Sequence, residues 1–168
     1  MTDRQLEDGG ETVEFTVQIA DITAFSSPLS GEEWDCDPID PVLVIDAAEH
    51  FEFETDDWQT VNRRNRGRAF DHFRYHIRRL AFLYAHPDET PIEIEVERYE
   101  DKARIRVYDG NHRLGSAILR GDVEIGIAVP LDDVEDFLSM VPTAVPNAPR
   151  ANSPTGAPTD PLPSGPKP

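Results

Sequence analysis

The residues best suited to bind an anion lie in one short run, Asp109-Gly110-Asn111-His112-Arg113. Glycine tolerates the positive φ of a tight turn, and a helix that begins after such a turn points unpaired backbone N–H groups at one place. Arg113 adds a planar cation with five N–H donors, which suits phosphate. We therefore expect these five residues to form a phosphate-binding site. The alternative is structural, with Asp109 capping a helix and Arg113 paired with a local carboxylate.

The sequence on either side of this run predicts a strand, a turn and a helix. Residues 104–107 alternate between arginine and an apolar side chain, which is the period of a half-buried strand. Leu114, Ala117 and Ile118 fall on one helical face, and Gly121 stands where a helix end favours positive φ. The turn between strand and helix would hold Gly110.

The sequence Asp-Gly-Asn-His-Arg-Leu, followed by a small-residue helix and a Gly-Asp turn, resembles the signature of the ParB/sulfiredoxin-like superfamily over roughly residues 42–130. The resemblance implies an α/β (α+β) fold, a small mixed β-sheet with packed helices. It also implies that Gly110–Arg113 contacts the phosphates of a nucleotide, with ATP or CTP favoured and Mg²⁺ bound alongside. Sulfiredoxins carry their reactive cysteine where Asn111 stands, so sulfinic-acid repair is not expected here.

The superfamily includes CTP-binding partition proteins, ATP-using sulfiredoxins, free-serine kinases and nucleases, so the resemblance leaves the reaction open. One hypothesis is a nucleotide-binding enzyme: a phosphotransferase, a nucleotide hydrolase or a nuclease. The other is a noncatalytic regulatory or protein-interaction module of the plasmid or phage ParB-like type. A phosphoryl-transfer site needs a general base or a magnesium ligand, for which Glu49, Glu54 and Asp57 are candidates. The sequence assigns the catalytic role to none of them.

A second group of cations, Arg63, Arg64, Arg66 and Arg68, stands out in an acidic chain. These arginines fall at the start of a helix predicted over 62–84, where a positive charge opposes the helix dipole. One interpretation is neutralisation by the acidic run 49–57. The other is a secondary phosphate contact that closes over the ligand, or a small nucleic-acid contact.

Two histidines, His72 and His76, are four residues apart, a spacing at which one helix can present two metal ligands. No His-Glu-x-x-His pattern accompanies them, and we expect no metal site. Cys36 is the only cysteine, which excludes an internal disulfide and a cysteine metal cluster.

Charge limits the classes of partner. The 168 residues carry 33 acidic against 16 basic side chains, a formal charge of −17, so phosphate repulsion disfavours broad, nonspecific nucleic-acid binding. No apolar run approaches the roughly 20 residues of a membrane helix, so we expect a cytoplasmic protein.

The remaining patterns define one domain over 13–141, between a flexible N-terminus (1–12) and a disordered Pro-rich tail (142–168). Strands are predicted at 13–19 and at 125–129. The apolar run 42–45 predicts a central strand that is buried on both faces. Residues 92–97 and 103–108 are predicted to form a hairpin with its turn at Glu100-Asp101. The helix over 62–84 carries the stripe Phe70, Phe73, Ile77, Leu80 and Tyr84 and stops at 86–88. A final helix follows Asp132 and Asp133, with Val134, Phe137, Leu138 and Val141 facing inward.

Overall fold

The computed structural model describes residues 10–100 and 102–148, which form a mixed α+β fold with a five-stranded sheet. The strands are β1 (Thr12–Gln18), β2 (Ile92–Tyr99), β3 (Lys102–Asp109), β4 (Glu124–Pro130) and β5 (Val145–Pro146). The described helices are α1 (Ile19–Thr23), α2 (Pro41–Glu49), α3 (Trp58–Arg64), α4 (His72–Ala85), α5 (Asn111–Arg120) and α6 (Val134–Met140). Short 3-10 turns span Pro28–Ser30, Glu32–Trp34 and Leu131–Asp133.

The sheet is mixed, in the order β3-β2-β4-β1-β5. Among the described strands only β2 and β4 pair in parallel, and α5 makes the crossover that a parallel pair requires. The strand-turn-helix unit predicted around Gly110 is therefore the end of β3, a glycine turn and the start of α5. It lies at the edge of the sheet, next to the first residue of β2.

A turn at Glu100-Asp101 predicts a hairpin in which Ile94 faces Val107 and Glu97 faces Arg104, and this register is confirmed. Ile94 pairs with Val107 and Val96 with Ile105 on the core face, and all four side chains are buried. On the other face Glu97 accepts a hydrogen bond from Arg104 at 2.6 Å. The alternation of apolar side chains and the pairing of opposite charges each predict this register independently. Asp101 of the predicted turn lies outside the described residues.

Two buried clusters hold the fold together. The larger one lies between the sheet and α5, α1 and α6, and contains Phe15, Ile92, Leu114 and Phe137. The smaller one joins α2 to α4 through Val44, Ala47, Ile77, Leu80 and their neighbours. The predicted inward face of α6 is confirmed for Phe137 and Val141, whereas Leu138 is exposed.

The prediction of a central strand at 42–45 is wrong, because these residues belong to helix α2. Asp40 caps the helix by accepting a hydrogen bond from the backbone N–H of Val42 at 2.9 Å, and Pro41 occupies the first turn. Val44 is buried, but Val42, Leu43 and Ile45 are exposed. A continuous apolar run fits a buried strand or one turn of a helix equally well, and here the capping residues decided.

The single helix predicted over 62–84 is two helices, α3 and α4, with a turn between them. Gly67 has a φ of 75°, which no α-helix accommodates, and Asp71 caps α4 by accepting from the N–H of Arg74 at 2.9 Å. The predicted end at 86–88 is confirmed. Of the predicted stripe, Ile77 and Leu80 are buried; the buried face also includes Tyr75, His76, Ala81 and Leu83.

The domain extends beyond the boundary predicted at residue 141. β5 pairs with β1, the N–H of Asn147 donates to the carbonyl of Glu14 at 2.9 Å, and the hydroxyl of Thr16 donates to the side chain of Asn147 at 2.8 Å. The strand predicted at 125–129 is thus not the last one. β5 has only two residues, too few to show the alternation of apolar and polar side chains by which a strand is predicted. The predicted tail from 149 onward, and the N-terminal residues 1–9, lie outside the described residues.

Candidate functional site

The glycine turn has the geometry that the sequence predicts. Gly110 has a φ of 98°, and a Cβ atom there would lie 2.6 Å from Cγ2 of Ile92 and 2.9 Å from a guanidinium nitrogen of Arg113. Only glycine fits, because both the backbone angle and the space exclude a side chain. Gly110 is also the N-cap of α5 and offers no side chain to the backbone N–H groups of 111–113. These N–H groups have no acceptor within the helix.

Arg113 is held beside the turn by two carboxylates. Its side chain is only 14% exposed; it lies 2.6 Å from Asp109 and 4.0 Å from Asp88. The structural alternative for this residue, a local ion pair, is therefore present. Asp109 is 65% exposed, so the pair is open to solvent and to competition from another anion.

His112, also in the first turn of α5, is hydrogen-bonded to His76 of α4. Nδ1 of His76 and Nε2 of His112 are 2.9 Å apart, so one ring donates and the other accepts. This arrangement needs at least one uncharged imidazole. Of the two histidines spaced four residues apart, His76 thus contacts His112, whereas His72 stacks on Phe70 at a centroid distance of 4.4 Å.

Burial keeps both imidazoles neutral. Removal from water lowers the pKa of His76 to about 4, and the neighbouring His72 contributes to the lowering. Removal from water is the main cause that lowers the pKa of His112 well below its usual value, and the proximity of His76 and of Arg79 lowers it further. At neutral pH the pair therefore contributes hydrogen-bonding atoms and no charge.

Aromatic rings surround the histidine pair. Trp34 stacks on His76 at a centroid distance of 4.5 Å and on His112 at 4.7 Å. Trp58, at the start of α3, is stacked on His76 at 5.9 Å, and Tyr75 meets His112 edge-on. Sequence reasoning did not find Trp34 as part of the site. No local pattern links a tryptophan to histidines that stand dozens of residues further along the chain.

The turn, the histidine pair and the tryptophans line one cleft of about 860 Å³. Its cations are Arg113 and Arg79, the latter donating to the carbonyl of Thr55 at 2.6 Å. Five carboxylates also line it: Glu33, Asp35, Asp57, Asp88 and Asp109. All five residues of the predicted phosphate-binding run border this space. The excess of carboxylates favours an anion that arrives with a cation.

One polar atom at the turn lacks a hydrogen-bond partner among the described residues. Oδ1 of Asn111 is buried and accepts from none of them, while Nδ2 of Asn111 donates weakly to the carbonyl of Val107 at 3.4 Å. A buried acceptor without a donor costs about 1–3 kcal/mol. The site therefore gains stability from any ligand group or cation that reaches this oxygen.

The predicted secondary arginines do not act as one group. Arg64 is bound by Asp56 at 2.8 Å and Glu54 at 3.2 Å, which confirms neutralisation by the acidic run for that residue. Arg63 and Arg66 line a smaller depression on α3, and Arg68 borders neither space. The expected conflict with a helix dipole is absent for Arg63 and Arg64, because both lie in the last turn of α3, where a positive charge is favourable.

The candidate acids are also separated by the structure. Asp57 lines the cleft, but its carboxylate caps α3 by accepting from the N–H of Thr60 at 2.6 Å, and the bonds from Thr60 lower its pKa. Glu54 pairs with Arg64, and Glu49 lies at the end of α2, away from the residues that line the cleft. Within the described parts of the chain, no three His, Cys, Asp or Glu side chains are grouped so as to hold a metal ion.

Comparisons with protein-family models, with curated proteins and with solved structures yield no match to this chain. In the described residues no helix has the length and apolar character needed to span a membrane.

Proposed function

We propose that the cleft at the Gly110 turn binds the phosphates of a nucleotide. The observation that carries the proposal is the uncapped N-terminus of α5, which opens beside Arg113 into a space of about 860 Å³. Free N–H groups, the positive end of the helix dipole and a guanidinium converge there, the combination with which proteins bind phosphate. The resemblance of 109–114 to the ParB/sulfiredoxin-like signature supports the same assignment and favours ATP or CTP.

The donor set of the cleft fits a nucleotide that brings Mg²⁺. Magnesium prefers oxygen ligands and is commonly held by one or two carboxylates together with substrate phosphates. Asp88 and Asp109 border the turn, and the unsatisfied Oδ1 of Asn111 is a third oxygen nearby. The ion would offset the carboxylates around the phosphates. Arg113 would then exchange part of its contact with Asp109 for the phosphate.

The observations favour binding over a defined reaction. Of the three acids considered for catalysis, only Asp57 reaches the cleft, and it is engaged in capping α3. The neutral His76–His112 pair stands beside the turn and keeps an imidazole lone pair at neutral pH. Because burial lowers the pKa of both imidazoles, the pair accepts a proton poorly at neutral pH, which also favours binding over catalysis.

The test is calorimetric titration with ATP, CTP and GTP, each with Mg²⁺, of the wild type and of Arg113→Ala. A hydrogen bond to a charged group contributes about 1.5–3 kcal/mol, so Arg113→Ala should weaken binding by about one to two orders of magnitude. Arg113→Lys should restore only part of the loss, because a point charge lacks the planar fork.

The matched control is Arg106→Ala, which removes an equally charged, ion-paired side chain on the solvent face of β3. It should bind as the wild type does. Equal affinity of the wild type and a folded Arg113→Ala variant would remove the phosphate site from this turn.

A further inference from the structure

Beside the main cleft lies a second, smaller surface, which we call the α3 shelf: Trp58, Gln59, Asn62, Arg63 and Arg66. It encloses about 260 Å³, and Trp58 and Gln59 border both this space and the main cleft. A ligand that occupies both spaces must therefore pass Trp58.

The arginines of the α3 shelf differ from most others in the molecule. Most described arginines elsewhere form ion pairs with carboxylates, whereas Arg68 and Arg79 form none; the paired ones are Arg64, Arg74, Arg78, Arg98, Arg104, Arg106, Arg113 and Arg120. Between residues 10 and 148, leaving out residue 101, Arg63 and Arg66 form none, although the chain has twice as many acids as bases. Both guanidiniums are thus available to an anion from outside.

The neighbours of these cations are suited to a nucleic acid. Trp58 is half-buried, packs against Phe70, His72, Tyr75 and His76, and lines both spaces. The part of its indole that these rings leave exposed is what a nucleobase would meet, since every base has a face that stacks on an aromatic ring. Gln59 and Asn62 offer amide donors and acceptors with no charge to repel a phosphate. In the described part of the chain no carboxylate lines the shelf, in contrast to the main cleft.

We propose that the α3 shelf and the Gly110 turn together bind a short single-stranded oligonucleotide. One phosphate lies at the turn, a base stacks on Trp58, and the next phosphate meets Arg63 and Arg66. This inference rests on the proposed phosphate site and adds the class of ligand, a chain of nucleotides in place of a mononucleotide. The net charge of −17 disfavours binding along the rest of the surface, and within the strip Mg²⁺ would have to offset the five carboxylates of the main cleft.

The experiment measures fluorescence anisotropy of a 3′-labelled, 5′-phosphorylated single-stranded hexanucleotide, as DNA and as RNA, on the full chain with Mg²⁺. The double variant Arg63→Gln/Arg66→Gln should lower hexanucleotide affinity at least about tenfold. The slope of its salt dependence should also fall by about 0.7 for each phosphate that the variant no longer neutralises. Affinity for a mononucleoside triphosphate, measured on the same variant, should change less than about twofold.

Two single variants control for charge alone. Arg68→Gln removes a cation from the same segment that borders neither space, and Arg64→Gln removes one already paired with Glu54 and Asp56. Both should bind the hexanucleotide as the wild type does. The DNA and RNA arms distinguish the two sources of the strand, and a duplex of the same sequence should bind more weakly than either.

The outcomes separate this inference from the proposed function. If Arg113→Ala weakens triphosphate binding but the double variant binds the hexanucleotide like Arg68→Gln, the shelf is overturned and the phosphate site stands. A hexanucleotide that binds no tighter than the mononucleotide also overturns the shelf. If neither probe binds the wild type, both are overturned.

Discussion

At the scale of single residues, the His76–His112 contact is the feature that sets the chemistry of the cleft. Two imidazoles from different helices share one hydrogen bond at 2.9 Å beneath the indole of Trp34. Stacking and burial keep water away, and the cost of charging a buried ring keeps both neutral. The same interactions link the stability of the protein to pH.

We predict that the free energy of unfolding falls as the pH is lowered from 7 to 5. The folded pKa of His76, about 4, lies below the usual 6.5, so the unfolded chain binds more protons between these values. The stabilisation from a neutral His76 is complete above pH 6.5 and is lost as the pH falls toward 4. The loss between pH 7 and 5 should be about 1–2 kcal/mol, with His112 adding to it. Urea denaturation at the two pH values measures it.

Substitutions at two histidines test the origin of this pH dependence. His76→Gln should make the loss between pH 7 and 5 smaller, because the glutamine does not titrate. His50 is exposed, and its bond to the carbonyl of Asp46 raises its pKa, so its effect has the opposite sign. His50→Gln should therefore leave the loss unchanged or slightly larger. An unchanged loss in a folded His76→Gln variant would contradict the prediction.

At the scale of secondary-structure elements, α2 is the element whose structure differs most from what its local sequence predicts. The run Val42-Leu43-Val44-Ile45 is apolar throughout, yet only Val44 is fully buried. A strand would place residues 42 and 44 on the same face, whereas a helix turns them about 200° apart. The side of α2 that packs on α4 is the side that carries Val44 and Ala47.

We predict that Val44→Ala destabilises the protein and Val42→Ala does not. Val44 is 0% exposed, so removing two methyl-sized groups should cost about 1.5–3 kcal/mol, including the cavity that remains. Val42 is 67% exposed and should change stability by less than about 0.5 kcal/mol. Chemical denaturation of both variants checks the pair. Equal costs at the two positions would support a strand with both residues on one face.

At the scale of the whole molecule, charge is balanced locally and unbalanced overall. Clusters of ion pairs line the exposed side of the hairpin and link Arg98 to Asp133 and Asp136. Such exposed pairs contribute about 0–1 kcal/mol each. The chain still carries 17 negative charges in excess, so repulsion among its carboxylates opposes folding.

We predict that added sodium chloride stabilises the protein. The Debye length falls from about 10 Å at 0.1 M to about 3 Å at 1 M, which screens the long-range repulsion more completely than it weakens contacts at about 3 Å. The melting temperature should therefore rise by several degrees between roughly 0.1 and 1 M salt, the concentrations that span the two screening lengths. Calorimetry in sodium chloride measures this change. A flat or falling melting temperature would show that the local pairs outweigh the net repulsion.

The sequence by itself determined the features that depend on residues close together along the chain. The β2–β3 register followed from alternation of apolar and charged side chains, and the β3–Gly110–α5 unit followed from turn residues and helical spacing. In each case a backbone period or a turn preference acts over a few residues, so the pattern is complete within the segment. The five residues proposed for the phosphate site were found in the same way, and all five border the cleft.

Contacts between distant segments were decided only by the tertiary structure. Residues 42–45 became a helix because its capping and one-sided packing on α4 outweighed an ambiguous apolar run. β5 formed because it pairs with the edge of β1, and His76 and His112 meet because α4 and α5 pack side by side, with Trp34 stacked on both rings. These arrangements arise from burial and hydrogen bonding among groups that are dozens of residues apart. No periodicity within one segment records such pairings, so the composition of the cleft beyond its glycine turn had to come from the fold.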